Sequence, residues 1–395
     1  MKIAIFTDSF FPYISGVTTA ISNRARGLIE KGNEVAVFRP KPSDSSSSFP
    51  LSKGLTIYDL PISIPSSTIE GLDIQLPLFF PAYKAVREFK PDVFHVDTQW
   101  GVGWQGIMCA KIMKKPLFST FHTFWSNSEY LKYFPFSNNE SKRNLMWNYM
   151  LFFHNRFEVV CCPSRLVEEK LIERGLESET TVIPNCIKEV DLKSEGFVKN
   201  KRKEYKAGDA PNLIFVGRVS HEKSLEKVIK SYHKISSTFP DSELIIIGDG
   251  DAKKELQKMT DNLDLLENVK FLGKISNDKI MEENLFRLGD IFVTASKTEN
   301  HPVSLLEAQA FGLPIVAPEA AGIPEIVKDK KNGLLYSTES SEENEVEKLA
   351  SRLEKLLEDE ELRKRMKESA LESSRKHTAK RVAGLLEKLY RSKMV

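Results

Sequence analysis

Cysteine is scarce in this chain: Cys109, Cys161, Cys162 and Cys186 are the only four among 395 residues. Four thiols do not staple a chain of this length, and none has zinc-finger spacing, so neither a disulfide framework nor a zinc domain is expected. The plain reading is reduced, buried thiols in a cytoplasmic protein. No run of 18 apolar residues occurs, so no helix is expected to span a membrane. The opening MKIAIFTDSFFP carries one Lys and reaches Asp8 at once, without the charged start and long apolar run of a signal peptide. An excess of one charge is also missing. Residues 1–200 hold 23 Lys and Arg against 21 Asp and Glu, the remainder is balanced, and the net charge is +2. Neither half is a basic face, so no nucleic-acid partner is expected.

What is present is a chain of ordinary globular composition, 41% hydrophobic and 28% charged, long enough for two domains. KIAIFTD is a short apolar run followed by the loop FFPYISGV. Val17, Ile21, Ala25, Leu28 and Ile29 then recur at helical spacing, with Gly32 placed to cap the helix end. NEVAVFRP reads as the next strand, and strand–loop–helix–strand implies parallel pairing. The alternation continues through strands at 92–97, 117–122, 158–164 and 181–185, with helices near 101–114, 140–157 and 165–174. The Ser-rich KPSDSSSSFP (41–50) reads as a loop. Residues 186–210 are polar without an apolar period, and the domain boundary is placed there, giving domains 1–190 and 191–376. A second series starts at NLIFVGRV and continues through ELIIIGDG, NVKFLG, DIFVTAS, PIVAP and GLLYS. Two helical stretches, 341–357 and 359–391, follow. The fold class is therefore α/β, two doubly wound Rossmann-like domains. Ligands of such sheets sit beyond the carboxyl ends of the strands, and two facing domains would hold one in the cleft between those edges.

The chemistry concentrates at those strand ends. In SKTENHPVSLLEAQAFGLP (296–314), Glu299 and Glu307 flank a loop containing Pro302 and the start of an apolar helix. Glu307 admits two roles, because Ser304-Leu305-Leu306-Glu307 also matches a capping box. Glu299, in a strand-to-helix loop, is harder to explain as structure, and the helix start offers backbone N–H groups to an anion. In FVGRVSHEKSLE (215–226), Arg218 and Lys223 follow a strand end, and two cations there suit a diphosphate. Lys223 could instead be a solvated residue, though a cation near a helix start is mildly unfavourable. Gly16 follows the first strand, where a glycine tolerates positive φ and lets the backbone approach a ligand; this is not the GxGxxG fingerprint. His122 lies at a strand end in STFHTFW, although a lone His also has a structural reading. Asp249 and Asp251 belong to a glycine turn, and His95 and Asp97 share a strand face without a third ligand, so no metal is expected.

Taken in order, these elements resemble glycosyltransferase family 4, whose fold is called GT-B. They are the Gly16 loop, the His of FHT, the Arg–Lys pair of VGRVSHEK, the GDG turn and the Glu-x7-Glu element. The resemblance covers nearly the whole chain and implies a role for each position. Glu299 would contact the hydroxyls of the donor sugar and Glu307 the ribose, while Arg218 and Lys223 would hold the diphosphate. Gly16 would approach the diphosphate or acceptor, and His122 would meet the sugar. The turn Gly273–Ile275 would contact the base through its backbone, which assigns Gly273 and Ile275 to the donor. The last helix, about 377–395, would pack back on the N-terminal domain. Such enzymes retain anomeric configuration, generally without a bound metal, so a nucleotide sugar is expected as co-substrate and no cofactor is required.

The chain departs from the pattern at Asn300-His301-Pro302, where Ser-Phe-Gly is common. Pro302 has no N–H, so one backbone donor to phosphate is either lost or supplied by Val303, with Ser304 beside it, and His301 would add a hydrogen bond near the donor. Relatives often carry a second His where Asp97 stands, and Asp97 and Trp125 are assigned to the acceptor side. The opening TDSFFPYISGVTTAI is similar to that of glycolipid-forming members. That favours a lipid acceptor such as diacylglycerol over a soluble sugar or polysaccharide intermediate. The loop FWSNSEYLKYFPF would provide peripheral membrane contact at the inner face of the cell membrane. UDP-glucose is the favoured donor, with GDP-mannose second. Two rival classes share the architecture, a sugar-nucleotide epimerase and a catalytically silent nucleotide-sugar-binding subunit.

Overall fold

Central strands such as Leu213–Val216 (LIFV) and Leu244–Ile247 (LIII) read as short, unbroken apolar runs, as strands buried on both faces do. The computed structural model describes residues 1–13, 15–42, 54–61, 63–65, 73–75, 79–124, 140–338 and 341–394. Two units result, Met1–Lys188 with Thr378–Val395, and Glu189–His377. The first holds β1 (Lys2–Phe6), β2 (Glu34–Pro40), β3 (Leu55–Leu60), β6 (Val93–Val96), β7 (Leu117–Thr120), β8 (Val159–Cys162) and β9 (Glu179–Val182). A small antiparallel pair, β4 (Ser63–Pro65) and β5 (Asp73–Gln75), stands apart from this sheet. The order is β3-β2-β1-β6-β7-β8-β9, all parallel. Side chains alternate across it: Ile3 and Ile5 enter the core on one face, Ala4 and Phe6 that on the other.

The second unit has six parallel strands in the order β12-β11-β10-β13-β14-β15. They are β10 (Leu213–Val216), β11 (Leu244–Ile247), β12 (Val269–Gly273), β13 (Ile291–Val293), β14 (Ile315–Pro318) and β15 (Gly333–Tyr336). Its core gathers Leu213, Phe215, Leu244 and Ile246 with Val228 and Tyr232 of the helix Leu225–Ser236.

The first helix, α1 (Gly16–Glu30), ends as its sequence suggests. Gly32 takes φ +84°, its N–H bonds the Ile29 carbonyl at 2.8 Å, and the Asn33 N–H bonds Leu28 at 3.1 Å. Two expectations need correction. The stretch 359–391 is not one helix but two, Glu360–Ser374 and Ala379–Lys393, separated by a 3-10 turn at Arg375–His377 and an extended Thr378. The polar stretch 186–210 contains the helix Glu195–Glu204, capped by Ser194, and only Val198 of it is buried. An exposed helix needs no apolar stripe, so periodicity could not reveal it.

The last helix, Ala379–Lys393, belongs to the first unit. Ala379, Val382, Ala383, Leu386 and Tyr390 are spaced to line one face, and they pack with Ile21, Ala25 and Leu28 of α1. Contact is closest at Gly27, where a Cβ would run into the carbonyl of Ala379. The Ala379 N–H bonds the Ile187 carbonyl at 2.8 Å, and Glu387 meets both Asn33 (2.7 Å) and Lys31 (3.2 Å). Gly27→Val should therefore destabilise the fold by about 2 kcal/mol through overpacking, read as a lower urea midpoint. An unchanged midpoint would mean the helix docks without needing this close approach.

Candidate functional site

The strand order of a doubly wound sheet reverses at one point, where the loops leaving two adjacent strands part and leave a crevice. In the second unit that point lies between β10 and β13. Beyond β10 the chain passes Gly217 and Arg218 and forms a 3-10 turn, His221–Lys223. Ser296 Oγ donates to the Glu222 carbonyl at 3.2 Å and pins this turn to the loop after β13. Lys223 Nζ thereby reaches Glu299 Oε1 and donates to it. Arg218 is half exposed, with the Glu222 carboxylate 3.7 Å away. Glu299 is anchored through its backbone: its carbonyl accepts the Gly322 N–H at 2.8 Å. A Cβ at Gly322 would run into the Asn300 carbonyl, so only glycine allows this approach.

The helix Val303–Ala310 starts directly after Pro302, which occupies the N-cap. Ser304 is therefore the second helical residue and cannot cap, so the capping-box reading of Ser304 and Glu307 does not hold. Proline fixes the φ of the residue that leads into the helix and has no side-chain acceptor. The first-turn N–H groups, including those of Val303 and Ser304, thus lack a side-chain cap. Glu307 is buried, and its carboxylate accepts from Asn277 Nδ2 at 2.9 Å. Asn277 opens the helix Asn277–Glu282, two residues after Ile275 in the turn that Gly273 makes at φ +74°. Glu307 and the Gly273–Ile275 turn are thus brought together through a residue the sequence did not single out. His301 is buried beside His377, with ring centroids 5.5 Å apart.

In the first unit the order reverses between β1 and β6. Thr98 Oγ1 donates to Asp8 Oδ2 at 2.6 Å and ties the two strand ends together. Gly16 is the first residue of α1, and the Ser15 hydroxyl caps that helix by accepting the Thr18 N–H at 3.1 Å. Gly16 does not adopt positive φ, so that expected reason for glycine is corrected; instead, among the described residues no atom lies within 4 Å of the place its Cβ would take. Beyond β7, His122 Nε2 lies 2.8 Å from Asp97 Oδ1, and Asp97 Oδ2 pairs with Arg24. Arg24 NH1 donates to Thr120 Oγ1 at 2.8 Å.

Arg24 stands three residues after Ile21 and four before Leu28, on the apolar face of α1. A cation on such a stripe was a legible sign of a buried partner. Gly322, Asn277 and Thr120 carried no comparable signal. Trp125, and with it Tyr130, Tyr133, Phe134 and Phe136 of the aromatic loop, lies outside the described residues, as do residues 43–50 of the Ser-rich tract. Among the described residues no three His, Cys, Asp or Glu side chains gather as a metal site, and Asp249 is engaged by Lys253 at 3.1 Å.

Burial sets the charges of the interior. It lowers the imidazole of His95, with help from Arg24, to about 3, and those of His154, beside His122, and His301, beside His377, to about 3. Burial works to raise the Asp97 carboxyl, but Arg24, His95 and the His122 hydrogen bond overcome it and hold the group well below the usual carboxylate range.

The family model "Glycosyltransferase Family 4" matches residues 14–189, and "Glycosyl transferases group 1" matches residues 197–373. The alpha-monoglucosyldiacylglycerol synthase of Acholeplasma laidlawii is 28% identical over 349 residues, 85% of each chain. That of Streptococcus pneumoniae is 26% identical over 85% of this chain and 75% of its own. The GDP-mannose-dependent alpha-mannosyltransferase of Corynebacterium glutamicum is 26% identical over 85% of this chain and 76% of its own. Among solved structures, Anabaena HepE in complex with UDP and glucose superposes with a TM-score of 0.78 at 20% identity, covering 99% of this chain and 100% of its own. Sucrose-phosphate synthase from Thermosynechococcus elongatus gives 0.77 at 17% identity, covering 99% and 98%. The chain belongs to glycosyltransferase family 4, has the GT-B fold, and is a hexosyltransferase that uses a nucleotide sugar.

The buried neutral histidines make stability depend on pH. Between their ordinary value near 6.5 and about 3, the unfolded chain binds protons that the folded rings refuse. Their contribution is complete above about pH 6.5 and falls on acidification by about 1.4 kcal/mol per pH unit for each ring. His154→Gln should flatten the decline in urea-unfolding free energy between about pH 6 and 5 by that amount. An equal slope in the variant would contradict a neutral buried His154.

Proposed function

We propose that this protein transfers glucose from UDP-glucose, with retention of configuration, to a hydroxyl of diacylglycerol or a closely related membrane lipid. The observation that carries the proposal is the meeting of Lys223 and Glu299 at the β10–β13 crevice, across 76 residues of sequence. A cation for phosphate and a carboxylate for sugar hydroxyls are what a diphosphate sugar requires within one crevice. Arg218 and Lys223 hold the diphosphate and stabilise the charge that grows on it as the glycosidic bond breaks. Glu299 orients the sugar. Glu307, steadied by Asn277, takes the ribose hydroxyls, and the Gly273–Ile275 backbone takes the base. Uncapped N–H groups of Val303 and Ser304 face the start of their helix, where negative charge is stabilised. At the strand edge of the first unit, the open side of Gly16 serves the diphosphate or acceptor and His122 serves the sugar.

In this scheme the acceptor hydroxyl attacks from the face that the diphosphate leaves, and the diphosphate oxygen removes its proton. Catalysis is then positioning and electrostatic stabilisation. The two glucosyldiacylglycerol synthases among the relatives support glucose and a lipid acceptor. The mannosyltransferase relative supports GDP-mannose as the second donor. Contact with the lipid surface is assigned to the first unit, at the inner face of the cell membrane. Leu145 and Phe152, on the helix Glu140–His154 that follows the aromatic loop, are both more than half exposed. Among the described residues no helix is long and apolar enough to cross a membrane.

The test is transfer of radiolabelled glucose from UDP-glucose to diacylglycerol in anionic phospholipid vesicles. Glu299→Gln is expected to lower kcat by about 100-fold or more, a loss typical of removing one transition-state contact. A product made from GDP-mannose alone would move the donor to mannose. Epimerised donor without acceptor would replace transfer by isomerisation.

A further inference from the structure

Two more lysines follow the strands that bound the β10–β13 crevice. Lys227 stands four residues after Lys223, Lys297 stands two residues before Glu299, and one buried carboxylate accepts from both. We propose that this carboxylate, Glu345, is a positioning residue that ties the two strand-end segments together and so keeps Lys223 and Glu299 at the separation that transfer requires. The proposal rests on the assignment of Lys223 and Glu299 to the donor made above.

Glu345 lies in the first turn of the helix Glu342–Glu358, which Ser341 caps, and its side chain is only 3% exposed. Its Oε2 accepts from Lys227 Nζ at 2.5 Å and its Oε1 from Lys297 Nζ at 2.9 Å. Lys227 belongs to the helix Leu225–Ser236, which runs on from the 3-10 turn of Lys223, and Lys297 to the loop after β13. The two lysines are unequally buried, the side chain of Lys227 being 11% exposed and that of Lys297 41%. Burial works to raise the Glu345 carboxyl, but the two ammonium groups overcome it and hold the group below its ordinary value. It is therefore ionised at neutral pH and serves both donors at once.

Packing of the two helices does not call for this arrangement. They are already joined by Lys230 to Glu342 at 2.8 Å, by Lys234 to Glu347, and by the Ser231 hydroxyl, which donates to the Val346 carbonyl at 3.0 Å. Lys297 lies on neither helix, so its bond to Glu345 adds nothing to their contact. What it adds is a second tie between the two strand-end segments, beside the bond from Ser296 Oγ to the Glu222 carbonyl. The tie is also electrostatic, because two ammonium groups on one carboxylate repel once its charge is removed.

Lys297→Met removes the charge and keeps the aliphatic stem, at a side chain exposed enough to leave global stability unchanged. Glu345→Gln leaves one oxygen, and Lys227 keeps it, since an unpaired ammonium costs more at the more buried site. Either variant thus releases the Lys297 loop, and the double variant releases nothing further. The experiment compares these three full-length proteins with wild type, and with Lys230→Met as the control for the helix contact. One readout is hydrogen exchange at the Gly322 amide, which bonds the Glu299 carbonyl and so reports on that loop. The other is glucosyl transfer from UDP-glucose to diacylglycerol vesicles. All three variants should exchange about threefold faster or more. Each should lose kcat about tenfold, with KM for UDP-glucose within about threefold. Unchanged exchange in Lys297→Met overturns the proposal whatever the substrate, even if Glu345→Gln does not fold. An equal loss of kcat in Lys230→Met also overturns it, because helix packing would then be the cause. A loss in Lys297→Met without one in Glu345→Gln, or losses that multiply in the double variant, would place the lysine directly at the diphosphate and overturn the role of Glu345. Faster exchange with kcat unchanged overturns the positioning role if Glu299→Gln lowers kcat in the same assay. If Glu299→Gln is unchanged too, the donor assignment falls, and the proposal with it.

Discussion

Lys223 and Glu299 meet because β10 and β13 are neighbours in a parallel sheet although β11 and β12 lie between them in sequence. Parallel strands need crossover connections, and a doubly wound sheet sends those crossovers both ways from one central pair. The carboxyl ends of that pair are where loops diverge and side chains from distant segments converge. The second unit's charged residues assigned to the donor depend on this constraint. Arg218 and Lys223 leave one strand of the pair, Glu299 leaves the other, and the helix bearing Glu307 follows directly.

The same arrangement recurs in the first unit at β1 and β6, but the chemistry differs. There the strand ends carry a buried ionic cluster, Asp97 with Arg24 and His122, and not an exposed cation. Buried ion pairs contribute little net stability once desolvation is counted. Tyr390 adds that the chain end is part of the arrangement, since its hydroxyl reaches His95 in the interior.

Much of this was legible in the sequence. Apolar runs and helical spacing placed every strand of the two parallel sheets except β3, and several of the helices, because buried parallel strands and amphipathic helices have distinct periods; β3 and the helix Leu225–Ser236 were not read. Glu299, Arg218 and Lys223 stood out as polar residues at strand ends. Other features were not legible for physical reasons. Ser304 matched a capping box, yet the N-cap is Pro302, two residues sooner. The break at Thr378 carries neither Gly nor Pro, so only the docking of the last helix on α1 accounts for it. Asn277 and Gly322 act through contacts between segments far apart in the chain, which spacing does not encode.

The central claim is a division of labour at the β10–β13 crevice, with Lys223 serving the diphosphate and Glu299 the sugar. Calorimetric titration of UDP and of UDP-glucose tests it most directly. Lys223→Ala should weaken both ligands by a similar factor, because both carry the diphosphate. Glu299→Gln should weaken UDP-glucose and leave UDP nearly unchanged. If Glu299→Gln weakens UDP as much as UDP-glucose, or Lys223→Ala affects neither, the account is contradicted.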